Sequence, residues 1–174
     1  MPIGLERRQQ TGQLHFITFS CYRRLPFLED PEPKDTLERV IERARQSHSL
    51  TIYAYVLMPE HVHLLTDEPE TRTLSSFLRV LKGESSKLLK GSREKFWQTR
   101  YYDFNTFTTE KFVEKVQYIH RNPVTRGLVT RPEDYRWSSF NHYASGEAST
   151  IQIDAEWIDR NRFALRAKNP LMSR

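Results

Sequence analysis

Cysteine is almost absent from this chain: Cys21 is the only one in 174 residues. A lone thiol excludes an intramolecular disulfide and any cysteine-based zinc cluster, and it fits a reducing compartment. Cys21 itself reads as a small apolar residue in a strand. Long apolar runs are missing too. None approaches the roughly 18 residues that a membrane-spanning helix needs. Glu6, Arg7 and Arg8 follow Met1 closely, so no signal-peptide hydrophobic region opens the chain. The expectation is a soluble, cytosolic protein. Low-complexity blocks and internal repeats are also lacking, which removes disordered and repeat architectures from consideration.

What is present supports one packed domain with some extension, because 174 residues are too few for two ordinary domains. Hydrophobic residues make up 37% and aromatic residues 12%, enough to build a core. The net charge of +5 and the isoelectric point near 9.4 favour phosphate-bearing partners.

Residues 1–12 are polar, contain Gly4 and Gly12, and read as a loose arm. Leu14 to Tyr22 is a strand by length and by its aromatic and β-branched content. Pro31 to Pro33 reads as a loop, and Asp35 with Glu38 marks a helix start. Leu37, Val40, Ile41, Ala44 and His48 then recur at helical spacing. Thr51 to Met58 is apolar on both alternating faces, as in a strand covered on both sides. Pro59-Glu60 turns the chain into a hairpin partner, His61 to Thr66.

A helix follows from about Leu74 to Lys90, with Phe77, Leu78, Leu81, Leu88 and Leu89 on one side. Its other side carries Arg79, Lys82, Lys87 and Lys90, a positive face suited to phosphates. Phe96 to Phe107 reads as a fourth strand and its exit. A helix from Thr109 to Asn122 is expected to stop at Pro123, because the residue before a proline is pushed out of the helical region. Residues 123–153 read mostly as loop around the aromatic group Tyr135, Trp137, Phe140 and Tyr143, and Asp154 starts a basic helix through Lys168. The order β-α-β-β-α-β-α predicts an α+β protein. Its first six elements match a ferredoxin-like core with helices on one face of an antiparallel sheet.

Two stretches point to chemistry. In Met58-Pro59-Glu60-His61-Val62-His63-Leu64-Leu65, the histidines are i and i+2 on a strand and share a face. Two imidazoles side by side fit either a half-exposed strand or the start of a metal site. In Tyr118-Ile119-His120-Arg121-Asn122-Pro123, the helical wheel gathers Phe112, Val113, Val116, Ile119 and His120 on the core side. Tyr118 and Asn122 then fall nearly opposite, one turn apart on the surface, with Lys111 and Lys115 extending the row. Lysines that hold flanking phosphates beside a phenol facing the scissile one would suit a phosphodiester lying along that row.

MPEHVHLL, then YIHRNPVTRGLV, then PEDYRWSSF, in this order and spacing, resembles the single-tyrosine HUH transposases of the IS200-like kind, most closely the REP-associated tyrosine transposases. The similarity runs from the first strand to about Tyr143. It divides the chain into an arm (1–12), a transposase domain (13–143) and a basic extension (144–174). It implies a ferredoxin-like enzyme, in a bacterial cytoplasm and at its nucleoid, that cuts and rejoins single-stranded hairpin DNA. By the same resemblance Tyr118 is the nucleophile, and His61, His63 and Asn122 are ligands of a divalent Mg or Mn ion. Arg79, Lys82, Lys87, Lys90, Lys111, Lys115 and Arg121 are candidate DNA contacts. A homodimer that exchanges active-site parts and a monomer both fit the family.

Two other readings compete with this one. A non-catalytic single-strand-binding domain of the same fold would have lost His61, His63 or Tyr118, and all three are intact. A metal-dependent hydrolase using water would recruit carboxylates near the histidines, and the sequence offers few.

Overall fold

The structure is a computed structural model that describes residues 13–106 and 108–156. The N-terminal arm and nearly all of the expected Asp154–Lys168 helix lie outside these residues.

The strands are β1 (Leu14–Cys21), β2 (Ile52–Leu57), β3 (His61–Thr66) and β4 (Trp97–Thr106). The helices are α1 (Pro31–His48), α2 (Leu74–Leu89), α3 (Thr109–Thr125) and the short α4 (Phe140–Ser145). The sheet order is β2-β3-β1-β4, with every neighbouring pair antiparallel, which is the ferredoxin-like arrangement expected from the element order.

Alternation along each strand divides the core in two. On one face Ile17, Phe19, Val62 and Leu64 meet Leu37 and Ile41 of α1 and Phe77, Leu78 and Leu81 of α2. On the other, Phe16, Ala54, Val56 and Leu65 meet Phe112, Val116 and Ile119 of α3. The sheet is thus covered on both sides, which explains why every residue of β2 and β3 is buried. Among the described residues, no helix is long and apolar enough to cross a membrane.

Two helix boundaries differ from the sequence expectation for the same reason. Helix α1 begins at Pro31 rather than beyond Pro33, because the first turn needs no N–H from either proline. Helix α3 continues through Pro123 and ends two residues later. Pro123 is buried, and so few residues follow that little helix remains to be disrupted. Both α2 and α3 start on a threonine cap: Ser76 N–H donates to Thr73 Oγ1 and Lys111 N–H to Thr108 Oγ1, each at 3.1 Å. Leu88, expected on the apolar side of α2, is exposed.

The segment after α3 is more ordered in role than a loop reading suggests. It closes the β2 edge: Leu57 N–H donates to the Trp137 carbonyl at 2.9 Å and Ser139 N–H to the Tyr55 carbonyl at 3.0 Å. Tyr135 and Tyr143 send their hydroxyls to the carbonyls of Leu57 and Tyr53, both at 2.6 Å. Ile151 and Ile153 also join the core, so packing reaches beyond Tyr143.

Candidate active site

The face of the sheet under α3 carries Thr18 and Ser20 of β1 and His61 and His63 of β3. His61 pairs across the ladder with Ser20, and His63 with Thr18. Small hydroxyl residues on β1 therefore lie beside both imidazoles and leave space above the sheet. An open groove of about 790 Å³ fills that space, and its lining includes His61, His63, Tyr118, Asn122, Lys115 and Arg121. The strand histidines and the helix residues, which lie about 55 positions apart in sequence, meet there.

The two imidazoles are held by different partners at Nδ1. His61 Nδ1–H donates to Glu60 Oε1 at 2.9 Å, and His63 Nδ1 is 2.7 Å from Thr18 Oγ1. Their Nε2 atoms point at one another across 3.0 Å. Because the Glu60 carboxylate can only accept, His61 carries its proton on Nδ1 and turns a bare lone pair toward His63. Burial holds His61 below the ordinary histidine value despite the pull of Glu60. Burial, with smaller contributions from His61, Arg24 and Lys115, holds His63 down to about 2. Both rings are therefore neutral at physiological pH, the form in which imidazole binds a metal.

Asn122 is the third candidate donor. It is buried against the sheet rather than displayed on the helix surface, which corrects the helical-wheel expectation. The wheel placed it away from the apolar stripe, and so it is; but β3 closes over that side of the last turn. Its amide Nδ2 lies 3.5 Å from His63 Nε2, while its buried Oδ1 has no hydrogen-bond partner. With His61 Nε2 bare, the 3.0 Å contact is completed by an Nε2–H of His63; loss of that proton to the other ring nitrogen would turn both lone pairs inward and, with the Asn122 carbonyl, make a candidate donor set for a divalent cation. Two nitrogens each about 2.1 Å from one ion and at right angles about it would be about 3.0 Å apart, as these are. Rotating the Asn122 amide by half a turn exchanges its oxygen and nitrogen and points Oδ1 at the histidines. Among the described residues, no three His, Cys, Asp or Glu side chains gather at one point. The set is thus two imidazoles and an amide.

Glu60 ties this set to two arginines that the sequence reading did not single out. Arg126 Nη2 donates to Glu60 Oε1 at 2.8 Å, and Arg24 Nη2 approaches the same oxygen at 3.6 Å. Burial pushes the Glu60 carboxyl up, and His61 with Arg126 pulls it further down, to below its ordinary value. Arg126 lies one turn beyond Asn122, so helical spacing would have shown it had α3 not been ended at Pro123. Arg24 sits in the turn after β1 with φ of 54°, a left-handed conformation uncommon for a residue with a side chain, and no sequence signal marks it. Thr18 was visible in principle, because Thr18 and Ser20 are the polar members of one face of β1.

Tyr118 stands at the groove edge, about half exposed, with its ring 5.4 Å from the His63 ring and edge-on to it. Lys115 Nζ lies 5.8 Å from the Tyr118 ring centre and 4.7 Å from that of Phe16. The groove therefore combines a phenol, a cation and a candidate metal set. Lys111, on the same helix, pairs with Glu114 at 2.9 Å. Arg79, Lys82 and Lys87 are on α2 and Lys90 is its C-cap, in the layer across the sheet from the histidines. Lys82 there donates to the backbone carbonyls of Gln98 and Thr99. Of the candidate DNA contacts, Lys115 and Arg121 line the groove, Lys111 lies on α3 outside its lining, and the remaining four are on the opposite layer.

Comparison with known proteins adds three findings. The family described as "Transposase IS200 like" matches residues 8–122. The chain is 28% identical over 106 residues to the REP-associated tyrosine transposase of Escherichia coli (strain K12), covering 60% of this chain and 63% of that protein. The matched segment thus spans less than two thirds of that relative. A solved structure of a REP-associated tyrosine transposase bound to a REP hairpin is 26% identical, with a TM-score of 0.72, covering 87% of this chain and 92% of that one.

Proposed function

Because the chain belongs to the IS200-like transposase family, we propose that it cuts and rejoins single-stranded, hairpin-forming DNA through a covalent bond to Tyr118. The observation that carries this reading is the meeting of Tyr118 with His61, His63 and Asn122 in one groove, from a strand and a helix distant in sequence. The similarity to a relative whose solved structure holds a REP hairpin supports REP-like hairpins as the substrate class.

In this scheme the Tyr118 oxygen attacks the scissile phosphorus in line with the departing 3′-oxygen. A bond from the phenolic oxygen to the 5′-phosphate forms as the bond from phosphorus to the 3′-oxygen breaks. The phenol gives up one proton and the leaving 3′-oxygen gains one, so the exchange is balanced. The phosphotyrosine keeps the energy of the cut bond, and attack by a 3′-hydroxyl reverses the step without a nucleotide cofactor.

The neighbouring residues have positioning and electrostatic roles. Lys115 places a positive charge beside the phenol, where a phosphate would bring negative charge. His61, His63 and Asn122 would hold a divalent ion, Mg or Mn, which when bound offsets charge on the phosphate oxygens. Glu60 fixes the tautomer of His61, and Thr18 fixes the orientation of His63.

The test is incubation of the protein with labelled hairpin DNA and Mn, followed by denaturing electrophoresis and mass spectrometry. The expected product is an adduct with the 5′-phosphate on the peptide that holds Tyr118. Tyr118→Phe should bind hairpin DNA as wild type does and form no adduct. Tyr118 is half exposed, so the change leaves packing largely intact. Phosphate on another tyrosine would sink the mechanism, as would cleavage that persists in the variant with hydrolytic ends. Hairpin binding without any adduct in the wild type would leave the non-catalytic binding reading.

A further inference from the structure

Exposed large apolar side chains are few among the described residues, and two of them, Tyr118 and Tyr102, line the same groove. Tyr118 has a chemical role in the scheme above; Tyr102 has none. Tyr102 lies on β4, pairs across the ladder with Thr18, and Thr18 pairs on its other side with His63. Tyr102 and His63 therefore sit on one rung of the sheet, two strand spacings apart, which is about 10 Å. Thr18, the residue between them, is short and leaves the floor of the groove clear.

The other aromatic residues of this floor are covered. Lys115 Nζ lies 4.7 Å above the Phe16 ring and 5.0 Å above the Phe104 ring. Phe16 also stacks on His63, with ring centres 5.2 Å apart. Tyr102 is 42% exposed, and among the described residues no ring or cation covers it. Burying it against the protein would have been the stabilising choice for so large a ring, and the fold leaves it open beside the site of chemistry.

We propose that Tyr102 is a stacking platform for an unpaired base next to the scissile phosphate. This rests on the reading of the groove as a single-strand DNA site. With the scissile phosphate in the groove above the His63 and Tyr118 rings, the neighbouring nucleotide crosses Thr18 and lays its base on the Tyr102 ring. Stacking is tolerant of base identity, so Tyr102 fixes the position of the strand rather than its sequence. It is a positioning residue: its ring holds the strand while Tyr118 reacts.

The experiment compares wild type, Tyr102→Ala and Tyr102→Phe, with melting temperatures to confirm folding. The ligands are hairpin oligonucleotides carrying 2-aminopurine at successive unpaired positions on either side of the cleavage point. In the wild type one position adjoining that point should be quenched on binding, and Tyr102→Ala should relieve the quench. Tyr102→Ala should weaken binding about tenfold with the salt slope unchanged, because stacking releases no counterions. Tyr102→Phe, which keeps the ring, should retain both affinity and quench. Wild-type affinity in Tyr102→Ala, while wild type forms its Tyr118 adduct, would overturn the proposal. Weakened binding and lost quench in Tyr102→Ala, with no adduct in the wild type, would sustain the stacking role and remove the transposase reading.

Discussion

Two buried histidines, His15 and His63, lie on the central strands of the same sheet and face opposite layers. His15 has a carboxylate at each nitrogen: Asp103 at Nδ1 and Glu68 at Nε2, both at 2.7 Å. Burial works against its charge, but the two carboxylates together outweigh burial and raise it above the ordinary value. His63 has a hydroxyl at one nitrogen and another imidazole at the other, and burial holds it down to about 2. One ring is built to keep a proton and the other to keep a lone pair. With both rings buried, it is the presence or absence of carboxylate partners that separates a structural cation from a neutral, candidate metal-binding imidazole.

The same contrast separates the two faces of the sheet, stability on one and chemistry on the other, and three measurements would break or sharpen it. The largest effect is expected from His61→Ala. It should abolish both adduct formation and the binding of Mn seen by calorimetry, while the melting temperature stays near that of wild type. A variant that still binds Mn and cuts at the wild-type rate would put the metal set elsewhere.

On the opposite face, Phe77→Ala removes a fully buried ring from the cluster shared by α1, α2 and the sheet. It should cost about 3–5 kcal/mol in unfolding stability, a shift of about 10²- to 10⁴-fold in the folding equilibrium. At a temperature where the variant remains folded, Mn affinity should be unchanged. A matching loss of Mn affinity would show that the two faces are not separable.

The smallest effect is in the pH dependence of stability. His120, in α3, is held down to about 4 by burial. Its unfolded form takes up a proton below about pH 6.5, so His120 should contribute about 1.4 kcal/mol per pH unit to the fall in stability that urea titrations show toward pH 4, beside the contributions of His61 and His63. His120→Gln should make that limb shallower by about that amount. His15 has the opposite sign: its contribution is full below about pH 6.5 and is lost as pH rises through its higher folded value. His15→Gln should therefore flatten the alkaline side. Equal effects of both changes on one limb would contradict the contrast.

Most of the fold was legible because its elements are strongly patterned. The run Ile52–Leu57 is apolar at every position except the tyrosine hydroxyls, and Phe77, Leu78 and Leu81 recur at helical spacing. The prolines misled in both helices, since a proline stops a helix only where its missing N–H is needed. Tyr118 was legible as a residue off the apolar stripe. Asn122 was not legible as buried, because a helical wheel records which way a side chain points and not what strand lies there. Glu60 was present in the histidine motif, but its two arginine partners come from a turn after β1 and the end of α3, a contact made only by folding.

Tyr118 and Asn122 on α3 and Arg126 at its C-cap follow one another at intervals of four, so candidate nucleophile, candidate ligand and the anchor of Glu60 ride on one rod. A single codon inserted between the first and last of them would turn everything beyond it by about 100° and advance it about 1.5 Å. Asn122 or Arg126 would then face away from β3. A codon inserted among residues 69–72, between Glu68 and the Thr73 cap of α2, would be absorbed at little cost. Length variation in descendants of this gene should accordingly be tolerated between strand and helix and purged from the eight steps that join Tyr118 to Arg126.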